Sequence, residues 1–265
     1  MKRFIVFGIL VALAFSATPQ DWAKVRLDKS PRHLDWVRVK NGKREINCFI
    51  TYPEVKEKAT AVLVIHEIFG LTDWVRSVCD QLAEAGYVAI APDLLSGMGP
   101  KGGGTPEFGG DDAARKVVPT LPPDQVTGDL DATADYVTKL PASNGKLVVA
   151  GFCWGGGQSF RYAMQNKNLK AAFVFYGPSP DSESEVKRIV CPVYGFYAEN
   201  DARINASLPK ITELMKNARK TYDKEIYKGA GHGFMRAGEA PDALEANKKA
   251  RGDAWKRWKE LLKKI

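Results

Sequence analysis

Hydrophobic and polar positions change period several times along the chain, and each change marks an element. His33–Lys40 and Glu45–Tyr52 alternate apolar and polar side chains around Asn41-Gly42. Period two belongs to half-buried strands and Asn-Gly is a strong short hairpin signal, so an antiparallel pair is predicted there. Ala61-Val62-Leu63-Val64-Ile65 is instead a continuous apolar run, the pattern of a strand buried on both faces. Trp74–Ala85 repeats apolar residues at helical spacing and stops at Gly86, and a second buried strand follows at Tyr87–Ala91. Further strands are predicted at Lys146–Ala150, Ala171–Tyr176, Pro192–Tyr197 and Asp223–Tyr227, with helices near 124–140, 155–166, 207–219 and 240–264. Strand and helix alternate, which predicts an α/β fold: a mostly parallel sheet with an antiparallel N-terminal hairpin and helices on both faces. The stretch from Gly97 to Gly110 holds seven glycines and reads as a surface loop.

Near the start, Lys2 and Arg3 precede an apolar run from Phe4 to Phe15, with small residues at Ser16 and Ala17. This basic, apolar, small order predicts a signal peptide over residues 1–20 and a domain over residues 21–265, secreted or periplasmic. The run is shorter than the roughly 20 residues a membrane-spanning helix needs, so no stable insertion is expected after cleavage. Across 265 residues, 45% are hydrophobic and 26% charged, which excludes disorder and a disulfide-knotted miniprotein. Cys48, Cys79, Cys153 and Cys191 contain no CxxC, so neither a zinc ribbon nor a thioredoxin-type pair is indicated. Asn205-Ala206-Ser207 is a formal glycosylation acceptor. The net charge of +8 favours acidic partners only weakly. Basic residues from Lys248 to Lys264 are expected to coat the solvent face of a helix whose apolar side carries Leu244, Trp255, Trp258, Leu261 and Leu262. Nucleic-acid binding is not expected, and a monomer is.

The most specific chemistry lies at Val148–Gly157, where a buried strand runs into Gly151-Phe152-Cys153-Trp154-Gly155-Gly156 and then a helix. This is a nucleophile elbow with sulfur at its tip. Its flanking glycines suit a strained turn, and the Trp154 amide can donate to a developing oxyanion. The base should follow the nucleophile in the chain, and His232 in Gly229-Ala230-Gly231-His232-Gly233-Phe234 is the histidine that does so. The acid should end a strand between them. Glu199 and Asp201 are both available, and Asp201 is preferred because a shorter carboxylate holds the imidazole more tightly. After the first buried strand comes His66-Glu67-Ile68-Phe69-Gly70, where such sheets carry the second oxyanion donor, here the Ile68 amide. A metalloprotease motif would need histidine at position 70, which is glycine. No metal or cofactor is called for.

Together Glu67-Ile68-Phe69-Gly70, the Gly-Phe-Cys-Trp-Gly-Gly elbow, Asp201 and the Gly-x-Gly-His-x-Phe run at 229–234 resemble the dienelactone hydrolase family of α/β hydrolases. The resemblance covers about residues 45 to 262. It implies Cys153 as nucleophile, His232 as base, Asp201 as its orienting acid, and Glu67 as a residue that contacts the resting thiol and helps generate thiolate. It also casts Arg236, four positions after His232, and Arg115 as carboxylate-binding residues. The implied activity is thiol-dependent hydrolysis of an ester or lactone in a small, carboxylate-bearing molecule. Residues 111–123 contain no aromatic side chain, unlike the pocket segment of a dedicated dienelactone hydrolase. The alternatives are a broad-specificity carboxylesterase, a thiol acyltransferase on the same site, and a secreted binding protein without activity.

Overall fold

The computed structural model describes residues 21–265; the signal peptide expected over 1–20 lies outside them. Eight strands form one sheet: β1 Leu34–Asn41, β2 Arg44–Thr51, β3 Ala59–Ile65, β4 Val88–Pro92, β5 Ser143–Phe152, β6 Leu169–Phe175, β7 Val193–Asn200 and β8 Tyr222–Gly231. Their spatial order is β1-β2-β4-β3-β5-β6-β7-β8. The first two neighbours pair antiparallel and every later pair from β4 to β8 is parallel. The predicted architecture is therefore the observed one. At the hairpin Asn41 pairs with Arg44, so Gly42 and Lys43 fill the turn, one residue beyond the predicted Asn41-Gly42. Gly42 has φ +59°, which suits glycine at the first turn position.

Period two explains how a continuous apolar run is used. Val62 and Val64 enter the core on one face of the sheet, whereas Leu63 and Ile65 enter the core on the other. The first core is covered by helix Asp73–Glu84 through Trp74, Val75, Val78 and Leu82, and by helix Glu245–Leu262 through Ala254 and Trp258. The second is covered by helices Pro123–Thr138, Trp154–Gln165 and Leu208–Asn217. Each fully buried large side chain contributes about 1.5–3 kcal/mol relative to exposure.

Four local features differ from expectation. Leu244 stands before the last helix and is 73% exposed; Ala250 and Ala254 line the buried side instead. Arg257 does not coat a solvent face: it donates to the carbonyls of Gly195 and Asp223 and lies over the Phe196 ring. The glycine-rich stretch is tied by carboxylates. Asp93 accepts from the Thr105 amide and hydroxyl at 2.7 Å each, and Glu107 accepts from the amides of Lys101 and Gly103 at 2.8 and 3.0 Å. Helices Asp21–Asp28 and Asp111–Val117 have no counterpart in the predicted elements. All four cysteines are free thiols. No helix among the described residues is long and apolar enough to cross a membrane.

Candidate active site

The chain leaves β3 for β4 on one side and returns to β5 on the other, so a crevice opens at the C-terminal ends of β3 and β5. Glu67 and Ile68 follow β3, and Cys153 follows β5. Tyr176, Asp201 and His232 follow β6, β7 and β8 in turn. Parallel pairing thus delivers residues that are far apart in sequence to one edge of the sheet.

Cys153 adopts φ 55° and ψ −116°, a conformation non-glycine residues rarely hold, costing about 1–3 kcal/mol. Packing enforces it. The Cys153 amide donates to Phe175 O at 3.0 Å, and Gly156 N donates to Cys153 O at 3.0 Å. A Cβ on Gly155 would lie 2.4 Å from both Ile65 O and His66 O, so glycine is what lets the helix start against β3. The backbone amides of Trp154 and Ile68 both favour the Cys153 thiolate.

His232 Nδ1 donates to Asp201 Oδ2 at 2.5 Å, which leaves Nε2 to accept from the Cys153 thiol at 3.1 Å. Asp201 is 7% exposed. Glu199, the other carboxylate available in the sequence, is exposed and accepts from Gly229 N at 2.8 Å. It shapes the histidine loop from behind, and Asp201 alone of the two reaches the ring. Asn205, the formal glycosylation acceptor, donates its side-chain amide to Ala198 O at 2.8 Å and Glu199 O at 3.2 Å. That pair of bonds pins the segment ending in Asp201.

Glu67 is 2% exposed. Its Oε2 accepts from Arg236 Nε at 2.7 Å and its Oε1 from the Tyr176 hydroxyl at 3.4 Å. The structure thus differs from the resemblance: the resting thiol bonds to His232, and Glu67 is held by Arg236 and Tyr176. Burial lifts the Glu67 carboxyl above its usual range, opposed by the Arg236 charge. The Cys153 thiol is pushed up to about 11, first by burial and next by the Glu67 carboxylate, while the Trp154 and Ile68 amides and the Arg203 charge pull the other way. The resting group is therefore a thiol at neutral pH, ionised only as a base removes its proton. Since the Glu67 charge opposes thiolate, Glu67→Gln is expected to speed iodoacetamide alkylation of Cys153 at pH 8 by about 3- to 10-fold. The modified cysteine is followed by mass, and a slower rate would assign Glu67 the activating role instead.

Arg236 also lies over the Phe69 ring, 5.2 Å from its centroid. Arg115 is exposed on helix Asp111–Val117 and makes no hydrogen bond or ion pair to Glu67, Cys153, Asp201 or His232. Two site residues escaped the sequence reading. Tyr176 was absorbed into a strand, yet it has φ 41°, bonds Glu67 and packs edge-on to His232 with centroids 5.2 Å apart. Arg203, two positions after Asp201, is exposed and favours the Cys153 thiolate; its place beside the expected acid was the available signal. Among the described residues, no three His, Cys, Asp or Glu side chains are grouped to hold a metal ion.

The model of the Dienelactone hydrolase family matches residues 46–265. A protein of Saccharolobus solfataricus named carboxymethylenebutenolidase is 29% identical over 252 residues, covering 83% of this chain and 95% of that one. One of Salmonella typhi with the same name is 32% identical over 210 residues, covering 75% of each. Among solved structures, a dienelactone hydrolase from Klebsiella pneumoniae superposes with TM-score 0.76 at 26% identity, over 88% of this chain and 99% of that one. The chain belongs to the dienelactone hydrolase family and is a hydrolase of the α/β-hydrolase fold.

Proposed function

We propose that the protein hydrolyses ester or lactone bonds in small molecules through a thioester on Cys153. The observation that carries this reading is the hydrogen-bonded run from Asp201 through His232, 2.5 Å, to Cys153, 3.1 Å. His232 Nε2 takes the thiol proton as sulfur attacks the carbonyl carbon, and the amides of Ile68 and Trp154 hold the resulting oxyanion. The C–O bond breaks, and His232 returns the proton to the leaving alkoxide, which in a lactone stays tethered. Water then gives a proton to His232 and adds to the thioester; the C–S bond breaks and Cys153 recovers its proton. Asp201 fixes the imidazole tautomer throughout.

The partly exposed guanidinium of Arg236 supports a carboxylate-bearing substrate, with the Arg203 charge as a second attraction at the same thiol. The basic, apolar, small order of residues 2–17 supports export, and a secreted or periplasmic location belongs to the proposal. The test is turnover of a short aryl ester, a neutral lactone and a carboxylate-bearing lactone, with an alcohol added. Free acid is the expected product, formed fastest from the carboxylate-bearing lactone. An alkyl ester as main product would make the protein an acyltransferase, and no turnover of any substrate would overturn the reading.

A further inference from the structure

We propose that His66 is a positioning residue that sets the direction of the oxyanion donors, through the peptide it bonds and the indole it stacks on. The inference rests on the reading of Ile68 and Trp154 as those donors. His66 is completely buried at the end of β3, and nothing in the proposed reaction uses its ring.

His66 Nδ1 lies 2.7 Å from the Glu67 carbonyl oxygen. A carbonyl accepts, so Nδ1 carries the hydrogen. That carbonyl and the Ile68 N–H belong to one planar trans peptide, in which the two bonds point in opposite directions. Holding the oxygen toward the imidazole therefore turns the Ile68 N–H away from it, and this amide favours the Cys153 thiolate. Gly70 N also donates to Glu67 O, but at 3.3 Å, so His66 is the closer hold. The same imidazole is stacked on Trp154, with centroids 5.7 Å apart and planes 17° from parallel. Trp154 is the residue whose amide supplies the other donor. One side chain thus bears on both halves of the oxyanion site.

The remaining nitrogen marks this arrangement as costly to the fold. Among the described residues His66 Nε2 is buried and has no hydrogen-bond partner, and an unmet buried acceptor lowers stability. A phenylalanine would stack on Trp154 without that cost. What it cannot do is hold the Glu67–Ile68 peptide plane. Burial pushes the imidazole below its ordinary range, so the ring stays neutral under ordinary assay conditions.

The test compares His66→Phe, which keeps a ring and loses the donor, with His66→Asn, whose Nδ2 branches where Nδ1 does and restores one. Acylation of Cys153 by an aryl ester develops an oxyanion; alkylation by iodoacetamide does not. For His66→Phe the expected result is a loss of about 10- to 100-fold in kcat, with alkylation slowed by a much smaller factor and KM and the thermal midpoint close to those of the parent. His66→Asn should recover most of the loss. Parent-like kcat in His66→Phe, or equal losses in acylation and alkylation, would overturn the inference. Ester turnover that survives in Cys153→Ala would instead overturn the reading on which it rests.

Discussion

Substituting Cys153 with alanine is expected to lower kcat on an activated aryl ester by about 10⁴-fold or more. His232 Nε2 bonds the sulfur at 3.1 Å, and the amides of Trp154 and Ile68 favour its thiolate. Alanine leaves those groups in place but gives the acyl group nothing to attach to. Residual rate would come from oxyanion stabilisation alone. Alanine keeps the Cβ and so the backbone strain at φ 55°, and the thermal midpoint should move by no more than a few degrees. Steady-state kinetics with a melting curve check both statements; full activity in a folded Cys153→Ala protein would exclude Cys153 as nucleophile.

Gly151→Ala is expected to be the most damaging small substitution in the elbow, at about 3 kcal/mol or more. The added Cβ would sit 1.9 Å from Gly155 O and 2.7 Å from Ser159 Oγ. The helix cannot retreat to make room, because Gly155 is itself pressed against the carbonyls of Ile65 and His66. Gly252→Ala is the control. Gly252 lies exposed in helix Glu245–Leu262 with no atom within 4 Å of a built Cβ. There the change should stabilise by about 0.5–1 kcal/mol. Urea unfolding of the two variants measures the contrast, and a parent-like midpoint for Gly151→Ala would mean the elbow is looser than its contacts imply.

The sheet was legible because its central strands are buried on both faces and read as unbroken apolar runs. At the edge this signal thins. β8 continues to Gly231, well past the predicted Tyr227, where Lys228 and two glycines break the apolar pattern. The order of the glycine-rich stretch was invisible for a different reason: it comes from Asp93 and Glu107 accepting backbone amides, contacts that local composition does not encode. The same limit applied to the site. Cys153 and His232 announced themselves through their glycines and their order in the chain. Side-chain length favoured Asp201 over Glu199 without settling the choice; the tertiary fact that separates them is that Glu199 is engaged by Gly229 N while Asp201 reaches His232. The partners of Glu67 were equally remote, since Arg236 lies 169 positions away and Tyr176 lies 109.

In the proposed reaction the acyl group passes through Cys153. The most direct test is rapid-quench mass spectrometry of the parent protein mixed with an aryl ester and sampled within the first turnover, with His232 intact so that the thiol can ionise. One added acyl mass is expected on the peptide containing Cys153, released by hydroxylamine and absent in Cys153→Ala. Turnover with the acyl group on another residue, or undiminished in Cys153→Ala, would contradict it.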